Sequence, residues 1–186
     1  MKRLLVSLAL LFGLVAGPVA VLPDVAGAAP ATAGGSCAVT WGSGAKSAGP
    51  LSSPSSEVLN VRTGRHTCYD RLVVDLGGPA SGYVVRYVRR FRQDPSDQII
   101  PLPGGARIEI IVRAPAVDNN GHATYPGTVG QPLPGVNLAG YQTFRSTRFA
   151  GSFEGLTLFG LGVRARLPFR VLKIGNRVVV DVAHHW

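Results

Sequence analysis

The chain has 186 residues, with 19 Lys and Arg against 10 Asp and Glu, 24 Gly, 14 Pro and two Cys. An apolar share of 46% excludes a disordered chain, and so many glycines and prolines exclude a helix bundle or coiled coil, which need uninterrupted helical repeats. The length suits one domain, and the density of turn residues points to short β-strands.

Residues 1–28 read as a secretory signal peptide. Lys2 and Arg3 come first, an apolar run follows from Leu4 to Leu22, and Ala26-Gly27-Ala28 supplies an A-x-A cleavage site. An uncleaved membrane anchor is the competing reading, but Gly13, Gly17 and Pro18 interrupt the run, so no membrane span is expected after cleavage. Cys37 is a poor lipid-anchor site: it lies far beyond the apolar run, and Gly34-Gly35-Ser36 lacks the expected leucine. Cleavage removes Lys2, Arg3 and Asp24 and so lowers the net charge of +9 by one. Of the 19 basic residues, 16 are Arg, whose planar fork of donors suits carboxylates and phosphates. For an exported, secreted chain the polyanions at hand are wall polymers and anionic lipid headgroups rather than nucleic acid.

The two cysteines, Cys37 and Cys68, in a chain bound for an oxidising compartment are expected to pair. Two free thiols in separate pockets are the alternative. Residues 29–57, rich in Ala, Gly, Ser and Pro, read as a flexible lead that Cys37 ties down and Trp41 anchors. The domain proper spans 58–186. Runs with period-2 alternation predict strands over Val58–Thr63, Arg71–Leu76, Tyr83–Phe91, Arg107–Arg113, Leu156–Val163, Phe169–Ile174 and Arg177–Val182. Gly175-Asn176 predicts a hairpin between the last two. No later segment holds a helical period for three turns, so the fold expected is all-β, an antiparallel β-sandwich.

Two strands resemble each other, DRLVVDL at 70–76 and NRVVVDV at 176–182. Each carries aliphatics on one face and Arg, Val and Asp on the other, which suits a sheet with one buried face. An internal duplication and a shared structural demand explain this equally well. If the two lie side by side and antiparallel, Arg71 meets Asp181 and Arg177 meets Asp75, each pair contributing about 0.2–1 kcal/mol.

The blocks VRTGRHTCYDRLVVDLGG, GYVVRYV, the loop at 114–144, FAGSFEGLTLFGLGV, PFRVLKI and RVVVDVAH, in that order over 58–184, resemble the AMIN-like domain of secreted proteins and lipoproteins from actinobacteria. That family is similar in turn to the AMIN domain, a β-sandwich that directs envelope proteins by binding peptidoglycan. The resemblance implies a non-catalytic module binding the cell wall, whether peptidoglycan or an anionic wall polymer. It carries over no binding residues. A module docking another envelope protein is the alternative from a different class, and an unrecognised wall hydrolase is a third.

Other chemistry finds little support. GSGAKS at 42–47 is a broken P-loop in an exported segment, and Gly160-x-Gly162-x-x-Ala165 has no helix to follow it because Pro168 intervenes. His184 and His185 are adjacent, point to opposite sides of a strand and read as a docked or frayed tail, not a metal pair. Spacing leaves a Ser-His-Asp triad open, yet no G-x-S-x-G turn occurs. No catalytic residue, metal or cofactor is expected. The ligand-binding candidates are Arg86, Tyr87, Arg89, Arg90 and Arg92 on one basic strand, and His66, Asp70 and Arg71 beside Cys68. The first set reads either as a binding strip or as a charged edge strand guarded against pairing. The second reads either as a ligand site or as a hydrogen-bond network pinning the disulfide loop. The loop 114–144, with Tyr125, Asn137 and Tyr141, exceeds ordinary connection lengths and reads as a binding loop or a mobile one.

The secreted protein is expected to begin near Ala29. Intact-mass analysis checks this, and a mass that retains Met1–Ala28, or a diacylglyceryl group on Cys37, contradicts it.

Overall fold

The computed structural model describes residues 37–51 and 56–186. The expected signal peptide and the first part of the lead lie outside the described residues. Among these, nine strands run β1 (Lys46–Ala48), β2 (Val58–Arg65), β3 (Tyr69–Leu76), β4 (Tyr83–Val88), β5 (Ala106–Val112), β6 (Phe144–Phe153), β7 (Leu156–Val163), β8 (Phe169–Ile174) and β9 (Arg177–Ala183). They form a five-stranded sheet in the order β1-β4-β5-β7-β6 and a four-stranded sheet in the order β2-β3-β9-β8. All the strand pairings are antiparallel. The architecture is the all-β sandwich that the alternation predicts.

The main core lies between the sheets. Leu72, Val74 and Leu76 of β3 and Val178, Val180 and Val182 of β9 are fully buried, and they share one cluster with Ile108 and Ile110 of β5 and Phe159 and Leu161 of β7. The two look-alike strands do pair: Arg71 stands opposite Asp181, Val73 opposite Val179 and Asp75 opposite Arg177. Strands β8 and β9 turn at Gly175-Asn176 as expected, with Ile174 opposite Arg177. Cys37 and Cys68 form the disulfide, with Cα atoms 5.1 Å apart.

Four local expectations are corrected. The lead is not loose throughout. Lys46–Ala48 pairs with β4, the Phe169 N–H donates to the Gly42 carbonyl, and Trp41 lies beneath the Arg170 guanidinium at 4.4 Å. Because β1 covers it, β4 is not a bare edge strand. The run Tyr83–Phe91 stops being a strand at Val88, where Arg89 and Arg90 bend the chain. The loop ends at its expected bound, but the chain beyond it is a strand that the alternation does not predict, β6, Phe144–Phe153. β6 hides from a period-2 reading through irregular register at Phe144/Ser146 and at Phe149/Gly151. Its hairpin with β7 turns at Glu154 and Gly155, both at positive φ (48° and 73°), as a tight two-residue turn requires. The loop before β6 is anchored, since Tyr125 and Leu133 sit in the main core.

A second, smaller core lies on the outer face of the five-stranded sheet. Phe91, Ile100 and Leu102 bury against Ala150 and Leu158, with Val88, Ile111 and Leu156 at the margin. Gly160 and Gly162 of β7 make this possible. A Cβ on Gly160 would lie 2.6 Å from the Phe91 ring, and one on Gly162 would lie 2.0 Å from the Pro103 carbonyl oxygen. The chain from Arg89 to Pro103 therefore folds across the sheet as an irregular hairpin, held where Ile100 N–H donates to the Phe91 carbonyl and Gln93 N–H to that of Gln98.

Tyr125 is 3% exposed between Phe149 and Phe159, and its hydroxyl is buried with no hydrogen-bond partner. Burial pushes its pKa up. A buried unpaired hydroxyl costs about 1–3 kcal/mol, so Tyr125→Phe is expected to raise stability by that order in urea unfolding at pH 7. The neutral phenol is favoured in the folded chain. Its contribution is therefore complete below the unfolded phenol's pKa of about 10 and is lost as pH rises through the folded value. Tyr83 and Tyr87 are raised by the same burial. Tyr125→Phe should thus shrink the alkaline loss of stability without abolishing it. A variant less stable than the parent at pH 7 contradicts the assignment.

Candidate functional site

The second core fixes a basic surface. Within β5, Ile108, Ile110 and Val112 face the main core, so Arg107 and Glu109 face outward. Glu109 stands opposite Arg86 and pairs with it, Arg86 Nη2 lying 2.7 Å from Oε2. Arg107 stands opposite Val88 on one side and Gly162 on the other, so its row offers no carboxylate. Arg89 and Arg90 are carried past the end of β4 by the bend that sends Phe91 inward. Among the described residues, Arg65, Arg89, Arg90 and Arg107 are the arginines with neither an ion pair nor a hydrogen bond.

Three of these four meet at one place. A cavity of about 420 Å³ is bounded by Arg89, Arg90 and Arg107 together with Ile99, Pro101 and Pro103. Arg89 and Arg107 also border a neighbouring cavity of about 370 Å³ that reaches Tyr87 and Arg166. A third, of about 490 Å³, lies among Arg89, Arg90 and Arg92. No carboxylate lines any of the three. The three cavities share Arg89, and the donors that Arg89, Arg90 and Arg107 bring to this basic groove are not consumed by the protein itself, an arrangement suited to an anion.

The other basic-strip candidates are engaged within the fold. Arg92 bonds the Asp97 carboxylate at 2.7 Å and its carbonyl at 2.8 Å. The Tyr87 hydroxyl donates to the Leu167 carbonyl at 2.8 Å and accepts from the Leu167 N–H at 2.9 Å. Burial pushes its pKa up, while that backbone bond and the nearby Arg166 oppose the rise. Arg166 lies 4.9 Å above the Tyr87 ring and is itself tethered to Ser43.

His66, Asp70 and Arg71, neighbours in sequence, do not form one site. Strand alternation turns Asp70 inward and Arg71 outward. Asp70 is 1% exposed, and its Oδ2 accepts from the Thr143 N–H at 2.6 Å and the Phe144 N–H at 3.2 Å. Its Oδ1 lies 3.2 Å from His184 Nε2, while His184 Nδ1 lies 3.2 Å from the Thr67 carbonyl oxygen. This buried cluster joins the disulfide loop, the start of β6 and the end of β9, and it shows His184 docked. Arg71 lies on the far side, forked onto Asp181 at 2.6 and 2.9 Å. Asp181 is fully buried and also accepts from Arg170, while Asp75 is shared by Arg62 and Arg177. Hydrogen bonding to Asp181 and Asp75 holds the Arg71 and Arg62 pKa values above their usual range. His66 is exposed and stacks on Tyr69 at 4.4 Å.

Sequence reasoning missed Arg107, since nothing in its neighbours shows that a glycine stands opposite. It also missed the inward course of Asp70 and His184, although Asp70 shares the phase of Leu72 and Val74, and His184 that of Val180 and Val182. No group of three or more His, Cys, Asp and Glu among the described residues is placed to hold a metal ion, and no helix there is long and apolar enough to cross a membrane.

Asp70→Ala leaves two buried backbone N–H donors without their acceptor and removes the carboxylate beside the His184 ring, and it is expected to lower stability by about 3 kcal/mol or more in urea unfolding. His66→Ala, on an exposed ring, should change it by no more than about 0.5 kcal/mol. Equal effects of the two substitutions contradict this division.

No curated protein and no solved structure matches the chain. A family model described as the AMIN-like domain matches residues 56–184, well over half of the sequence, and the chain belongs to that family.

Proposed function

We propose that the domain is a non-catalytic, exported module that holds to an anionic polymer of the cell wall through the groove of Arg89, Arg90 and Arg107. The observation that carries this reading is the convergence of three unpartnered guanidiniums on one cavity that no carboxylate lines. Membership of the AMIN-like family supports an association with the cell wall. Three strand carboxylates are held by arginines, Glu109 by Arg86 and Asp75 and Asp181 by two each, which keeps them ionised and unsuited to act as a general acid. Four arginines of the four-stranded sheet are engaged by Asp75 and Asp181, and among the described residues Arg89, Arg90 and Arg107 are the unpartnered guanidiniums that line one cavity.

Co-sedimentation with purified sacculi tests the reading. The protein should pellet with walls that keep their anionic polymers and much less with walls stripped of them. Replacing Arg89, Arg90 and Arg107 by Gln should abolish most of that binding with little loss of stability, because Arg89 and Arg90 are exposed and the half-buried Arg107 has no partner to lose. Binding should also weaken as salt rises, since the Debye length falls from about 30 Å at 0.01 M to about 8 Å at 0.15 M. Retention by stripped walls, or by the triple variant at high salt, contradicts the reading. A stoichiometric protein partner in a cross-linked pull-down, with no wall binding at any salt, supports docking of an envelope protein instead.

A further inference from the structure

The groove is not uniformly polar. The segment Ile99–Pro103 alternates: Ile100 (6% exposed) and Leu102 (3%) point down into the second core, while Ile99, Pro101 and Pro103 point out to solvent. Ile99 is 52% exposed, among the more exposed large apolar residues of the described chain. This apolar row borders the same 420 Å³ cavity as Arg89, Arg90 and Arg107. A purely hydrophilic polyanion has no use for it. An anion that carries a hydrocarbon chain matches both halves, the phosphate answering the guanidinium forks and the chain covering the apolar row. The cavity falls in the size range of small-molecule sites.

We infer that the groove takes the phosphate headgroup of an anionic phospholipid at a membrane surface, with the phosphate among Arg89, Arg90 and Arg107 and the first part of an acyl chain along Ile99, Pro101 and Pro103. This goes beyond the reading above and rests on it only for the groove being the anion-binding face. The lipid is recognised at the interface, since basic side chains beside an exposed apolar residue are the pairing that holds a protein to an anionic bilayer without spanning it. No carboxylate borders the cavity to oppose the phosphate.

Titration with dihexanoyl phosphatidylglycerol, kept below its micellar concentration, against its deacylated headgroup glycerophosphoglycerol isolates the part played by the chain. The acylated compound is expected to bind at least about tenfold more tightly, equivalent to about 1.4 kcal/mol. Ile99→Ser should remove that margin and leave the deacylated headgroup bound as before, whereas the Arg89, Arg90 and Arg107 to Gln variant should lose both. Vesicles containing phosphatidylglycerol should retain the protein, and vesicles of phosphatidylcholine alone should not. Ile99 is half exposed, so Ile99→Ser should keep the parent's unfolding temperature, and the acylated against deacylated comparison on the unaltered protein stands without any variant. Equal affinity for the two compounds, or equal retention by the two kinds of vesicle, overturns the inference even if sacculi are bound. Acyl-dependent binding without binding to sacculi supports the inference and removes the wall reading.

Discussion

A Cβ on Gly160 would come within 2.6 Å of the Phe91 ring and 2.9 Å of Leu102, so the outer face of the five-stranded sheet admits its covering segment only because β7 carries glycine there. Phe91 is 1% exposed as a result. Its descent onto the sheet is what bends the chain at Arg89 and Arg90 and lifts these two guanidiniums beside Arg107. The position of the basic groove is therefore a consequence of packing. A sheet with one solvated face would have left the same arginines spread along an ordinary strand.

The four-stranded sheet solves the charge problem differently. Its outer face holds two carboxylates, Asp75 and Asp181, and each accepts from two arginines. Register makes this possible, because antiparallel pairing sets Arg71 opposite Asp181 and Arg177 opposite Asp75, with Val73 and Val179 between the two rows. Asp181 has no exposed side-chain surface, and removal of either of its arginines would weaken compensation of a buried charge. Sharing commits four guanidiniums to two carboxylates and leaves that face with a net positive charge. Trp41 and Tyr69, which lie against Arg170 at 4.4 and 5.4 Å, extend the network to the lead held by the disulfide.

The features legible in the sequence are those in which a single strand states its own environment. Leu72, Val74 and Leu76 alternate with Arg71, Val73 and Asp75, and this fixes which face is buried and, with the matching run at 176–182, which charges meet. Gly175-Asn176 and the lone pair of cysteines are equally local signals. Features that depend on what stands across the sheet were not legible. Arg107 is free because Gly162 and Val88 flank it, a fact contained in register alone. β6 escaped notice because its bulges break the alternation over Phe144–Phe153. The run YVVRYVRRF continues its pattern past Val88, and only the glycines of β7, some seventy residues later, decide that Phe91 leaves the strand. His66, Asp70 and Arg71 looked like one cluster by proximity, although alternation sends Asp70 and Arg71 to opposite faces.

Charge and packing together explain why unpartnered guanidiniums gather at one place in a protein so rich in arginine. A guanidinium already forked onto a carboxylate gives little to a ligand, because a new bond must replace an existing one. Arg62, Arg71, Arg86, Arg92, Arg170 and Arg177 are in that position. Others, such as Arg145 and Arg164, donate to backbone carbonyls and serve the fold. Arg89, Arg90 and Arg107 have no such commitment, and all three line the same cavity. The burial of Phe91 and the register of β5 bring three like charges to one cavity, so its positive potential is set by the fold itself.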